Sequence, residues 1–150
     1  MSLKSGKVAK WQSGKVQKTR NPERAVPIKT FRDLLVWQRG MAIARQAYLI
    51  TAAMPKAEMF GLTGQIRRAA TSIPLNIAEG FGRHTRPEFL RSLRIAQGSL
   101  LEVMTAVEIA SDVKMIQSTG TLPELLAEED RLLSSLIAKL EAKDRVPAPR

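Results

Sequence analysis

Gln65, Arg68, Ser72, Asn76 and Glu79 are the residues whose types and spacing come nearest to a specified chemical surface. At roughly 100° per residue on a helix they share an arc of about 80°. Leu62, Ile66, Ala69, Ile73 and Ile77 fill the arc beside it. A surface helix normally sets long charged side chains opposite its apolar stripe. Here a row of mixed, mostly short polar groups borders the stripe, and Pro74 interrupts its middle. One reading is a network that fixes register between helices or subunits. It would set Arg68 near Glu79 or Glu102, with Ser72 and Asn76 against backbone exposed around Pro74. A ligand or nucleic-acid groove would use the same donors. A catalytic site would need a nucleophile, a metal set or a second acid beside the glutamate, and none accompanies it. The network is the preferred reading, because a buried polar group left without a partner costs on the order of 1–3 kcal/mol.

A second set is cationic. Arg67 lies outside the row, and Arg83, Arg86, Arg91 and Arg94 gather where one apolar-periodic segment gives way to the next. Guanidinium forks suit phosphate oxygens. The same arginines also suit a solvated face laced with salt bridges, and the spacing does not separate the two readings. The net charge of +10 lies mostly in residues 1–30, which carry eight Lys/Arg against one acid, while residues 31–150 carry sixteen against thirteen. The segment 121–144 reverses the sign, with three basic residues and six acids.

Within the basic N-terminus, SGKVAK at Ser5–Lys10 returns as SGKVQK at Ser13–Lys18. Lys4, Lys7, Lys10, Lys15, Lys18 and Arg20 surround Trp11 with few other apolar groups. Such a segment buries too little to offset chain entropy, so residues 1–29 read as a disordered arm. Its charge suits nucleic acid, with Trp11 able to stack on a base, better than a membrane, for which it has no apolar face.

Cysteine is absent, which removes disulfides, thiolate catalysis and cysteine-based zinc sites. The single histidine, His84, has no companion to complete a catalytic or metal site and reads as a solvated loop residue. No cofactor or metal is expected. No apolar run approaches the roughly 20 residues of a membrane span, and no secretory signal opens the chain. A cytoplasmic protein is the expectation.

Helices must position these groups. Thr30–Asp33, Thr85–Glu88 and Thr121–Glu124 each place a threonine three residues before an acid, the pattern of a capping box. Helix one is expected from Phe31 to Met54 with Leu34, Trp37, Met41, Ala44, Tyr48 and Thr51 inward. Helix two should run from about Glu58 to Glu79 and end at Gly80 and Gly82, which suit a left-handed cap, with Pro74 bending it or leaving the Ala70 carbonyl without its usual amide partner. Helix three runs from Pro87 to Met115 with Phe89, Leu93, Ala96, Leu100, Val103, Val107 and Ala110 inward. Helix four runs from Pro123 to Lys143 on a seam of Leu125, Leu132, Leu136 and Leu140. Short connections favour an all-α, up-and-down four-helix bundle over 30–144, with 145–150 as a short tail. Helices two and three are apolar round more of their circumference than a lone bundle requires, which points to self-association.

The residues on this path resemble a known family. Phe31, Leu34, Val36-Trp37-Gln38, Tyr48, Pro55, Glu58, Phe60-Gly61-Leu62, Gln65, Arg67-Arg68-Ala69, Ser72-Ile73-Pro74 and Asn76-Ile77-Ala78-Glu79-Gly80 carry the likeness, followed by Arg83, Glu88-Phe89, Ile95-Ala96, Gly98-Ser99-Leu100 and Glu102. They are similar to the bacterial family named for the 23S ribosomal RNA intervening-sequence protein, over about Phe31 to Lys143. The resemblance implies a four-helix bundle, ring-like pentamers and no catalytic activity. It also implies kinship with accessory variability determinant proteins of diversity-generating retroelements, which partner a reverse transcriptase and contact nucleic acid. The basic arm departs from the compact family pattern. The expectation is therefore a non-enzymatic oligomeric adaptor that binds RNA or DNA through Arg67, Arg83, Arg86, Arg91, Arg94 and the arm. The competing expectation is a protein-interaction scaffold without nucleic-acid binding.

Overall fold

The computed structural model describes residues 27–145. The arm residues Lys4, Lys7, Lys10, Trp11, Lys15, Lys18 and Arg20 lie outside the described residues, as does the tail beyond Arg145. A 3-10 turn at Phe31–Asp33 precedes α1 (Leu35–Thr51), and a second at Lys56–Glu58 precedes α2 (Leu62–Gly82); α3 (Arg86–Asp112) and α4 (Leu122–Asp144) follow. Among the described residues there is no strand. Each helix packs on its sequence neighbours and α4 closes back on α1, with the α2–α3 contact the most extensive. This is the expected up-and-down four-helix bundle.

The helix starts follow local chemistry, with differences. Thr30 and Asp33 form a complete capping box, in which the Asp33 carboxylate accepts from the Thr30 amide at 3.0 Å. The turn they cap does not run into α1, because Leu34 adopts extended backbone (φ −73°, ψ 125°) and restarts the helix one residue later. Thr85 caps α3 by accepting from the Glu88 amide, while its hydroxyl donates to the Glu88 carboxylate at 2.7 Å. Thr121 makes no side-chain cap bond, so the third expected box does not form.

α2 begins later and ends later than its sequence pattern suggests. Glu58 caps it from outside, its carboxylate accepting from the Leu62 amide at 3.1 Å. The helix passes through Pro74, which is buried, and through Gly80, and it ends on Gly82 with neither glycine in left-handed backbone. Left-handed backbone falls instead on His84 (φ 61°). Gly80 serves packing: a Cβ there would lie 2.4 Å from the Ser92 Cβ on α3. Gly40 does the same on α1, where a Cβ would sit 3.1 Å from Ile73 and 3.3 Å from the Pro74 nitrogen. These glycines let α2 approach both neighbours closely.

α3 ends three residues before the expected Met115. Lys114 takes φ 59°, its amide bonds to the Ser111 carbonyl and the Met115 amide to that of Ala110, the paired bonds of a Schellman motif.

Ile43, Ile66, Ile73, Ile77, Leu93, Leu100, Val103, Leu122 and Leu133 are fully buried. Each such side chain contributes about 1.5–3 kcal/mol by leaving water. The expected inward face of α3 is the observed one, with Phe89 partly buried. On α1 the face is rotated: Val36, Arg39, Gly40, Ala42, Ile43, Ala47 and Thr51 are buried, whereas Tyr48 is exposed and Trp37, Met41 and Ala44 sit at the edge. On α4 the centre is Leu122, Leu126, Glu129, Leu133 and Ile137, and the expected leucine seam flanks it half-buried.

Candidate nucleic-acid interface

The polar row divides into two parts. Its centre is a network within the chain: Ser72 Oγ lies 2.9 Å from Ser99 Oγ of α3, and the Asn76 amide donates to Ser72 Oγ (2.9 Å) and to the Ser72 carbonyl (2.8 Å). Gln65 donates to Glu102 at 3.1 Å, a second tie from α2 to α3. These bonds lock the register of the two helices that Gly80 brings together. The outer members turn to solvent. Glu79 pairs with Arg83 at 3.1 Å rather than with Arg68. The Arg68 guanidinium lies over Gly64, where a Cβ would stand 2.8 Å from Nη1.

The cluster around the α2–α3 turn is largely neutralised. Arg86 pairs with Asp144 at 2.6 Å and Arg94 with Glu141, both on α4, and Arg83 is held by Glu79. Arg91 is exposed and makes no ion pair among the described residues. These exposed pairs are weak, typically under about 1 kcal/mol each, and exchange readily.

Arg67 stands apart. Its guanidinium stacks 4.6 Å from the Tyr48 ring centre, and Nε donates to Thr51 Oγ1 at 2.9 Å. Both Nη atoms make no hydrogen bond among the described residues. Stacking and a single anchor hold the fork without consuming it, which suits a phosphate oxygen better than a freely rotating lysine does.

The charge distribution gives this geometry its setting. Residues 27–82 carry seven Lys/Arg and three acids, a net +4; residues 83–145 carry nine and ten, a net −1. All three acids of the first half are engaged: Asp33 and Glu58 in helix caps, Glu79 on Arg83. Arg45, Lys56 and Arg68 remain exposed on that half without an ion pair among the described residues. Arg45 was not distinguished by the sequence pattern; its significance comes from the charge balance of the α1–α2 half.

The profile of the 23S rRNA-intervening sequence protein family matches residues 32–138. The chain belongs to that family. A crystal structure of a protein of unknown function, from the S23 ribosomal protein family of Bacteroides thetaiotaomicron, is 25% identical with a TM-score of 0.62, covering 69% of this chain and 96% of that one. Comparison with curated proteins gives no match.

In this member of the intervening-sequence protein family, one buried group escaped the sequence reading. Glu129 of α4 is fully buried in the apolar centre, and neither carboxyl oxygen has a hydrogen-bond partner among the described residues. Burial raises its carboxyl from the ordinary 4.5 to about 9, with Arg39 pulling downward and Glu128 upward. Arg39 of α1, itself 5% exposed, pairs with the neighbouring Glu128 at 2.7 Å. Among the described residues no group of acids and histidine is arranged to hold a metal ion, and no helix is long and apolar enough to cross a membrane.

Proposed function

We propose that the protein is a non-enzymatic, oligomeric adaptor that binds RNA or DNA through the α1–α2 half of the bundle, assisted by the basic arm. The observation that carries this reading is the net +4 of residues 27–82, whose acids are all engaged while Arg45, Lys56, Arg67 and Arg68 keep donors available. Phosphate binding by such groups is driven by counterion release and is sequence-independent. In cellular terms the reading is a cytoplasmic subunit that presents RNA or complementary DNA to a reverse transcriptase, or one that accompanies ribosomal RNA. Assembly as a pentamer would repeat the basic face around a ring and multiply its field. The arginines at the α2–α3 turn become secondary contacts, since each must release an acid before it meets phosphate.

A second reading, a protein scaffold, is favoured by a different face. α3 exposes Ile95, Leu101 and Ile109, with Val113 exposed just past its end, and with α2 it forms a shallow groove lined by Leu62, Gln65, Leu101, Glu102, Ala106 and Ile109.

Binding of the full chain to labelled nucleic acid, measured over a range of salt concentrations, separates the two. The adaptor shows affinity that falls linearly on a log–log plot with salt, and deleting residues 1–28 flattens the slope. An absence of salt-dependent binding near physiological ionic strength, with a stable oligomer in light scattering, leaves the scaffold.

A further inference from the structure

We propose that the junction of α1 and α2 is a stacking platform for single-stranded nucleic acid, built from Tyr48, Phe60, Lys56, Arg67 and Arg68. The inference rests on the nucleic-acid reading above and names the form of strand that this face takes.

Phe60 is the starting observation. It is 95% exposed in the loop before α2, while Ile66, Ile73 and Ile77 on the helix it precedes are fully buried. Leaving a phenylalanine in water forgoes about 2–3 kcal/mol of burial. Phe31, Phe81 and Phe89, by contrast, each pack edge-on against another ring. Tyr48 is the second aromatic, 49% exposed, with Arg67 stacked on it.

Cations lie beside each ring. Arg67 is fixed on Tyr48 with its Nη atoms unused. A Cβ on Gly64 would meet the Arg68 guanidinium at 2.8 Å and the Met59 carbonyl at 2.7 Å, so the Arg68 head group lies beside the loop that carries Phe60. Lys56 is exposed in the same loop, and the one acid there, Glu58, is committed to the Leu62 amide. Charge complementarity therefore selects a polyanion as occupant.

The aromatic faces narrow the choice further. A π-face can stack only on a base that is unstacked and turned outward, which a strand offers and an intact duplex does not. Exposed aliphatic side chains occur here too, Leu49 and Met59 next in sequence to the two rings, so the cations rather than the apolar surface select the occupant. An arginine stacked on a tyrosine can also extend a base stack through its own plane.

The test measures anisotropy of labelled oligo(U), oligo(dT) and a duplex of equal length with the full chain. Single strands are expected to bind more tightly than duplex, and the two single strands distinguish RNA from DNA as the source. Phe60→Leu keeps an apolar side chain but loses the ring, so it should weaken single-strand binding by about 5- to 100-fold and leave duplex binding unchanged. Phe60→Trp and Tyr48→Phe should retain affinity, and circular dichroism confirms that each variant folds. Equal single-strand affinity of wild type and Phe60→Leu overturns the platform, as does an equal loss on duplex. A drop in oligomer mass for Phe60→Leu assigns the ring to a contact between copies and overturns it as well. If wild type binds no nucleic acid at all, the functional reading itself fails, which is a separate result.

Discussion

Replacing Glu129 by glutamine should stabilise the bundle, by an amount that grows with pH. The carboxyl is fully buried between apolar turns of α4, and its pKa rises from 4.5 to about 9 on folding. Between those limits the folded chain keeps a proton that the unfolded chain releases. Stability contributed by this group is therefore full below pH 4.5 and declines as pH rises toward 9. The decline is about 1.4 kcal/mol per pH unit, giving a penalty of order 3 kcal/mol at pH 7 and of order 6 near pH 9. Glutamine has nearly the same shape and cannot ionise, so its advantage over wild type should follow that line. Chemical denaturation of both proteins, followed by circular dichroism from about pH 5 to pH 9, reads the difference directly. Titrations common to both proteins cancel in it. Parallel pH profiles would refute the reasoning, because they would mean that Arg39 holds Glu129 ionised. Lower stability of Glu129→Gln at neutral pH would refute it equally.

Two further predictions concern backbone and packing. Gly80→Ala places a Cβ 2.4 Å from Ser92 and should cost about 1–3 kcal/mol, whereas Gly98→Ala meets nothing within 4 Å and should gain about 0.5–1 kcal/mol; thermal melts of the pair test the contrast. Lys114→Gly relieves a left-handed residue at the Schellman motif closing α3 and should stabilise by about 1 kcal/mol, with an unchanged melting temperature arguing against backbone strain there.

Much of the bundle was legible in the chain because its signals are local. Thr30 with Asp33 and Thr85 with Glu88 mark helix starts through bonds spanning three residues, and α3 has one clear apolar stripe, so its buried face followed from periodicity. The errors share a cause. α1 is apolar on several sides, so its sequence supports more than one inward face; the face observed is the one that lets Gly40 meet Pro74. On α4 a search for apolar spacing steps around Glu129 and settles on the flanking leucines. Gly80 read as a helix terminator because a short-range rule sees permitted backbone freedom, whereas its missing Cβ is used for contact with Ser92.

The site shows the same division. The sequence by itself determined the inventory: an excess of cations toward the N-terminus, a polar row on α2, four amphipathic helices, and no cysteine or second histidine. Only the tertiary structure decided which of those groups remain available. Arg83, Arg86 and Arg94 find acids, two of them on a helix more than forty residues away, while Arg67 finds a tyrosine and a threonine that orient it without occupying its fork. Charge is a property of the residue, but availability depends on neighbours brought together by packing. That is why the arginines clustered at the α2–α3 turn are not the ones best placed to hold a phosphate.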